Sequence, residues 1–485
     1  MIGAGGVESI SSGPRSPSAS DLARWLDAQR IADRRDGAPP LDRRLRDLEA
    51  LKRAVLAYQD RFVEAVSADF GHRSRQETRY LDLLPVVTTI GYLRANLARW
   101  MRPEPRRVAL HFRPGRARVV YQPLGVVGII APWNYPVVLA LTPLATALAA
   151  GNRVMLKPSE STPRTSALLA MMLAELFPPE QVTVVLGDAT VAAAFAALPF
   201  DRLVFTGSTP VGRAVMRAAS ANLVPVTLEL GGKSPAIVER GTSLRRAAHA
   251  IAFGKLTNAG QTCIAPDYAL VARDEVGAFV EAFAREVDRY YPRIATNPDY
   301  ATIIDDRHHA RLHALLDDAR TKGATVQEIS AIDDDARRLH PRTFLPAVVT
   351  GVTDAMALMR EEIFGPILPV VAYDGLEEAI GFVNARPRPL ALYFFGGSGP
   401  AQERVLAQTT SGNVTVNDTI LHYAQDDLPF GGVGASGMGA YHGHEGFKTM
   451  SHAKGIFTQP RLNAADVIRP PFGRLFERVL AYLLR

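Results

Sequence analysis

The chain has one cysteine, Cys263, among its 485 residues. With no second thiol to pair with, disulfide dependence is excluded, and a reducing compartment, the cytoplasm, is expected. It also lacks a Lys/Arg block interleaved with aromatic residues. The net charge of +6 is spread mainly as Arg over many segments, so no nucleic-acid partner is expected. No basic region followed by an apolar run opens the chain, and no signal peptide is read there. His422, His442, His444 and His452 have neither metal-site spacing nor cysteine companions. They are read as surface or packing residues, and no metal is expected. Charge itself is missing from residues 119–152, a run long enough to suggest a membrane span. That run also holds Pro123, Pro132, Pro136 and Pro143 with Gly125 and Gly128. A spanning helix broken so often would leave backbone groups unsatisfied in lipid, so a buried strand, a loop and a buried helix are expected instead.

Apolar residues make up 47% and charged residues 21%, the balance of an ordinary soluble globular protein. The length implies two or three folding units. Residues 1–20 are Gly/Ser-rich and are expected to be a disordered tail. From Asp21 to about Met101, Leu41, Leu45, Leu48, Leu51 and Val55 recur at helical spacing, with Arg and Asp opposite. The period then falls to two. Val108–Phe112 and Arg118–Tyr121 read as a hairpin arm, about residues 106–122, around a Pro-Gly turn. Strands at 125–130, 153–156, 181–186 and 202–205 alternate with helices, the pattern of a doubly wound parallel sheet. A second alternating set starts near Val226 and runs through 269–271, 325–329 and 367–372. The fold class is therefore α/β with two doubly wound domains. Residues 21–228 form the dinucleotide-binding domain and 229–410 the catalytic domain. Residues 411–460 carry a return strand and an oligomerisation segment, and 461–485 an amphipathic tail.

Cys263 lies in Asn-Ala-Gly-Gln-Thr-Cys-Ile-Ala-Pro (258–266), where Gly260 and Pro266 mark an irregular backbone. It is either a small core hydrophobe or a working thiol, and the second reading needs a base, an oxyanion donor and an electron acceptor. Glu229, an acid in an apolar run, suits a general base if buried, or else an exposed turn. Asn134, between Pro132 and Pro136, suits an oxyanion donor or a helix cap. Gly207 and Ser208 stand where a strand turns into a helix, which fits a pyrophosphate or a plain turn. The glycine pattern there departs from the usual fingerprint, because Thr209 stands at the second Gly. Lys157 and Glu160 close a strand and can hold ribose hydroxyls or simply start a surface helix. Gly232-Lys-Ser is not a phosphate loop, because the required first Gly falls at Thr227. The Gly-rich stretch 431–439 is read as tight turns.

Taken together, Pro-Trp-Asn-Tyr-Pro (132–136), Lys-Pro-Ser-Glu (157–160), Phe-Thr-Gly-Ser (205–208) and Leu-Glu-Leu-Gly-Gly-Lys-Ser-Pro (228–235) resemble the aldehyde dehydrogenase superfamily. Gly-Gln-Thr-Cys (260–263), Glu-Glu-Ile-Phe-Gly-Pro (361–366) and Leu-Pro-Phe-Gly-Gly-Val-Gly (428–434) continue the match in the family's order. Cys-Ile-Ala-Pro-Asp-Tyr (263–268) and Gly-Met-Gly-Ala-Tyr-His-Gly (437–443) look like the class 3 branch, which includes fatty, aromatic and coniferyl-type enzymes. The Arg469-Pro-Pro-Phe-Gly stretch leans toward the bacterial coniferyl aldehyde group. The resemblance implies that Cys263 attacks the aldehyde, Asn134 and the Cys263 N–H hold the oxyanion, and Glu229 activates the hydrolytic water. It implies NAD as cofactor, with NADP possible. Lys157 and Glu160 would hold the adenosine ribose, Gly207 and Ser208 the pyrophosphate, and Glu362 the nicotinamide ribose, with Phe364 and Trp133 also in the cofactor site. A Glu160 carboxylate should repel a 2′-phosphate and so favour NAD. Coenzyme-A acylation and cysteine hydrolysis are the alternatives weighed. A homodimer is expected. In the tail, Leu475, Phe476, Val479, Leu480, Leu483 and Leu484 form an apolar stripe opposite Arg474, Glu477 and Arg478. It is read as packing on the protein or a dimer partner, with peripheral membrane contact as the alternative that the same pattern permits.

Overall fold

The computed structural model describes residues 16–330, 340–461 and 469–484. Within it, the charge-free run becomes the strand Val126–Ile130, a turn, and the helix Val138–Ala150, and every residue of both elements is buried. Burial on all sides is why neither element has a polar face. Among the described residues no helix is long and apolar enough to cross a membrane.

Val126–Ile130 is flanked in parallel by Arg153–Lys157 on one side and Arg202–Thr206 on the other. Val182–Val184 and Val226–Glu229 extend the sheet outward, and the short antiparallel strand Gly437–Met438 closes it at six strands. Alternate residues serve opposite faces, as the pleat requires. Val126, Ile130, Met155, Leu203, Phe205 and Leu228 pack with Leu22, Leu26 and Phe195 on one face. Val127, Ile129, Val154, Leu156 and Val204 join the main core on the other.

A seven-stranded sheet runs in the order Thr325–Glu328, Ala347–Thr350, Ile367–Tyr373, Tyr268–Ala272, Pro235–Val238, Ala391–Phe395, Asn413–Val416. All its pairings are parallel except the first. The third sheet is antiparallel, with Arg116–Pro123 between Glu104–Arg106 and Ser451–Thr458.

Several expectations change. Val226–Glu229 belongs to the first sheet, not to the second alternating set, because it pairs with Arg202–Thr206. The return strand Asn413–Val416 adds to the second sheet beside Ala391–Phe395. The expected hairpin arm forms with its first strand displaced: Glu104–Arg106, not Val108–Phe112, pairs antiparallel with Arg116–Pro123. Leu110–Phe112 is a 3₁₀ turn, and Arg116–Pro123 also pairs along eight residues with Ser451–Thr458. A two-stranded ribbon is marginal in water, and the distant strand supplies the third member that a local period cannot reveal. The boundary drawn at residue 20 falls inside the helix Ala19–Asp36, which Ser18 and Asp21 close with a capping box. Residues 1–15 of the expected tail lie outside the described residues. The C-terminal helix Arg474–Leu483 has no buried residue, so it does not pack into this chain's core as one reading of the stripe expected.

Candidate active site

The first sheet reverses its winding at Val126–Ile130, and that reversal opens a crevice beyond the strands' C-terminal ends. Trp133 and Asn134 follow the first strand, Lys157 ends the second, and Gly207 and Ser208 follow the third. Lys157 is 1% exposed. Its Nζ donates to Glu160 Oε2 at 2.7 Å and to the Pro158 carbonyl at 3.1 Å. Ser208 occupies the N-cap of the helix Thr209–Ser220, yet its side chain caps no backbone N–H. Pro210 has no N–H to offer, but the Thr209 and Val211 amides take no cap from Ser208 and remain for an anion, and the crevice fits the phosphates and ribose of a dinucleotide.

The thiol sits on a backbone that is costly to form. The helix Leu244–Leu256 runs into the 3₁₀ turn Thr257–Gly260, where Asn258, Ala259 and Gly260 have φ of 52°, 51° and 76°. A left-handed non-glycine residue costs roughly 1–2 kcal/mol and persists only where its surroundings hold it. Here the Asn258 N–H donates to Glu77 Oε2 at 3.1 Å, and its side chain donates to the Asn134 and Gln261 carbonyls at 3.0 and 3.2 Å. Gln261 donates to the Thr302 carbonyl at 3.1 Å and accepts the Ile304 N–H at 2.9 Å. Gly260 is obligatory for a second reason: a Cβ there would stand 2.3 Å from the Gly365 carbonyl oxygen.

Cys263 follows this turn and is half-buried. Burial first, then the Glu362 and Glu229 carboxylates, push its thiol up to about 12. The Asn134 side chain donates to the Gln261 carbonyl at 3.1 Å, two residues before the sulfur. That bond uses one of its two N–H groups and leaves the other. Tyr135 donates to or accepts from Thr262 Oγ1 at 2.7 Å, and the Tyr393 hydroxyl donates to the Ile264 carbonyl. With Tyr423 and Tyr441, these hydroxyls lie close enough to the thiol to feel its charge.

Glu229 ends its strand at 2% exposure, and neither carboxyl oxygen has a hydrogen-bond partner. Burial alone raises its pKa well above the ordinary carboxylate value. Residues 431–439 make the expected tight turns, and they pack over this acid: a Cβ on Gly431 would lie 3.1 Å from Glu229 Oε1. Glu362 is pushed up to about 8 by burial and then by Asp267. Its segment is pinned by Lys233, which pairs with Asp267 and donates to the Leu358 and Glu361 carbonyls at 2.7 and 3.0 Å. Asp267 in turn accepts the Ile363 N–H at 2.9 Å. Phe364, at φ 50°, meets Trp133 edge-on, with ring centroids 5.4 Å apart.

The structure thus brings Glu229 and Glu362 each within electrostatic reach of Cys263. It sets Asn134 against the same turn and lines the crevice with Lys157, Glu160, Gly207 and Ser208. Sequence reading missed Arg73, Glu77 and Asp82, which look like any charged helix face, and Lys255. Buried Lys255 has an ammonium without a hydrogen-bond partner, and burial lowers it to about 8. Tyr135 stood inside the polar island already singled out and could have been found there. His422 and His442 are buried with Tyr423, Phe430 and Tyr441, and burial lowers them to about 4 and about 3. This is the packing role expected of them.

Residues 15–456 match the model of the aldehyde dehydrogenase family. The chain is similar to a probable coniferyl aldehyde dehydrogenase of Pseudomonas aeruginosa, 53% identical over 93% of this chain and 94% of that one. It is also similar to mouse aldehyde dehydrogenase family 3 member A2, at 40% identity over 88% of this chain and 86% of that one. Among solved structures, betaine aldehyde dehydrogenase from Staphylococcus aureus in complex with NAD⁺ superposes with a TM-score of 0.83. That likeness has 26% identity and covers 92% of this chain and 89% of the other. These comparisons support neither coenzyme-A acylation nor cysteine hydrolysis. The chain belongs to the aldehyde dehydrogenase family, in its class 3-like branch, and is an oxidoreductase that takes an aldehyde to the carboxylic acid with a nicotinamide cofactor.

Proposed function

We propose that Cys263 is the nucleophile, Asn134 with the Cys263 N–H the oxyanion site, and Glu229 the base for hydrolysis of an aromatic aldehyde's thioester. The observation that carries this reading is the unpartnered Glu229 carboxyl facing the chain's single thiol. The Cys263 thiol gives its proton to solvent, its Sγ bonds to the carbonyl carbon, and the resulting oxyanion takes the remaining Asn134 N–H together with the Cys263 amide. The nicotinamide cofactor, when bound, accepts a hydride from that carbon. A thioester then remains on Cys263. Glu229 removes a proton from water, the hydroxide adds to the thioester carbon, and the thiolate leaves. Lys157 and Glu160 hold the adenosine ribose, Gly207 and Ser208 the pyrophosphate, and Glu362, Phe364 and Trp133 the nicotinamide end. The half-exposed Glu160 carboxylate repels a 2′-phosphate, so NAD is favoured over NADP. The unit built on the six-stranded sheet carries the cofactor, and the seven-stranded sheet carries the thiol. A free thiol nucleophile suits the cytoplasm.

The tyrosines around the thiol, and the name of the Pseudomonas relative, support a coniferyl-type substrate. Burying an aromatic ring is worth about 2 kcal/mol, so kcat/KM for coniferyl aldehyde should exceed that for acetaldehyde by roughly 10–100-fold. An initial-rate panel of aliphatic and aromatic aldehydes with NAD and with NADP measures it. Equal values for the two aldehydes would discard the aromatic assignment and leave the chemistry standing.

The assembly is a homodimer in this reading, and two open sheet edges support it: Ser451–Thr458 in the three-stranded sheet and Asn413–Val416 in the seven-stranded one. The uncovered helix Arg474–Leu483 then packs on the partner copy. Light scattering should report a dimer, and deleting residues 474–485 should shift it toward monomer. Full-length protein should not sediment with anionic liposomes. Sedimentation that depends on residues 474–485 would transfer the helix to a membrane surface.

A further inference from the structure

Three buried or half-buried charged residues, Arg73, Glu77 and Asp82, take no part in the chemistry proposed above. All three lie in one segment. The short helix Arg75–Glu77 passes into a π-helical turn, Thr78–Leu83, a rare geometry that is frequent at functional sites. From this segment, contacts run to both halves of the site. Arg73 Nη1 donates to the Asn134 carbonyl at 2.9 Å. Asp82 Oδ1 accepts the Val137 and Val138 N–H groups at 3.1 and 2.7 Å, which fixes the far end of the same loop. Arg73 and Asp82 are fully buried and lie 3.8 Å apart, and the guanidinium also stands over the Tyr135 ring, 4.6 Å from its centroid. On the other side, Glu77 takes the N–H of Asn258, the first left-handed residue of the cysteine turn.

We propose that residues 73–82 clamp the Asn134 loop to the cysteine turn, and that Glu77 is the positioning residue that holds the turn in its left-handed form. The inference rests on the reading of Cys263 as nucleophile and Asn134 as oxyanion donor. Its logic is geometric. Where the helix Leu244–Leu256 ends and the chain turns left-handed, the buried Asn258 amide loses its intrahelical acceptor. A buried amide must be satisfied, and Glu77 is what satisfies it. The Asn258 side chain then bridges the Asn134 and Gln261 carbonyls, so the amide donor and the sulfur share one frame. Without the Glu77 acceptor the turn can relax toward ordinary helix, and the sulfur moves relative to Asn134.

Glu77 adds a pH dependence to this frame. Burial pushes it up to about 7, with Arg73 lowering and Asp299 raising it, and the Tyr135, Tyr291 and Tyr300 hydroxyls also face it. The sign follows from the charge. Below about 7 the neutral acid is a weak acceptor, and above it the carboxylate grips the Asn258 amide more strongly. The frame should therefore tighten as pH rises through that value.

The test is rapid mixing of the full-length chain with NAD and aldehyde, read as the burst of reduced cofactor, for the parent, Glu77→Ala and Glu77→Gln. Glu77→Ala should slow the burst about 10–100-fold, the scale of an ångström-sized misplacement, while NAD affinity stays near the parent's. Glu77→Gln keeps an acceptor oxygen and should recover most of the burst rate, but without the inflection near pH 7 expected of the parent. A Glu77→Ala burst at the parent's rate, or a Glu77→Gln burst as slow as Glu77→Ala, would overturn the clamp. If Glu77→Ala does not fold, the Glu77→Gln profile decides alone, and an inflection near pH 7 retained on top of the steady rise from Cys263 ionisation counts against the proposal. If acylation or hydride transfer limits the parent, the same rates are read from single turnovers with enzyme in excess; turnover surviving in Cys263→Ala would instead sink the nucleophile reading.

Discussion

Cys263→Ala should abolish oxidation of every aldehyde, lowering kcat by about 10⁶-fold, the scale seen when a covalent nucleophile is lost. NAD binding should persist, because the crevice at Lys157, Gly207 and Ser208 belongs to the first sheet while the cysteine turn precedes a strand of the second. The fold should persist too, since the half-buried side chain loses only its sulfur. Cofactor titration with an initial-rate assay measures both effects. Substantial turnover in this variant would end the assignment. The same chemistry sets a pH direction. With its thiol pushed up to about 12, Cys263 in the free enzyme should alkylate slowly at neutral pH and faster as pH rises. Fast alkylation at pH 6 would mean that the thiol is already ionised there.

Glu229→Gln should separate the two halves of the reaction. If Glu229 acts on water, the variant still attacks the aldehyde and releases one reduced cofactor per site, then stalls as the thioester. General-base assistance is worth on the order of 10²–10⁴-fold, so steady-state turnover should fall by that factor while the burst survives. Intact mass should show the acyl group retained on the protein. The rival role, proton acceptor for Cys263, would remove burst and turnover together. In the parent, Glu229 is a base only when ionised, and burial raises its pKa. Deacylation-limited turnover should therefore climb with pH above the usual carboxylate range. Parental turnover in Glu229→Gln would leave Glu229 as a structural acid.

Much of this arrangement could be read from residue order. The alternation of apolar strands with helices announced two doubly wound sheets, and a lone Cys between Gly260 and Pro266 announced an irregular turn, which the fold buries rather than leaves open. Glu229 could be flagged because an acid in an apolar run is rare without a reason. Other features could not be read, because they depend on partners far along the chain. Arg116–Pro123 carries a clear period of two, but nothing local says that its main partner is Ser451–Thr458. Glu77 and Asp82 sit in a charged helical stretch like many solvated faces, and only the fold turns them inward. The Gly-rich loop read correctly as turns, but its place over Glu229 follows from the strand Gly437–Met438 joining the first sheet.

That late strand bears on how the molecule is made. Gly437–Met438 pairs with Leu228 and Glu229, and Ser451–Thr458 pairs with Arg116–Pro123, so the earliest sheets are completed by residues synthesised far later. On the ribosome, Glu229 and the edge of Arg116–Pro123 remain open to water until residues 437–458 have emerged. Contacts of such long sequence separation form slowly, and an unpaired edge invites wrong partners meanwhile. A nascent chain stalled before residue 437 would carry its thiol and its carboxylate without the cover that desolvates the acid, and would have to be shielded from aggregation rather than from misuse of its chemistry.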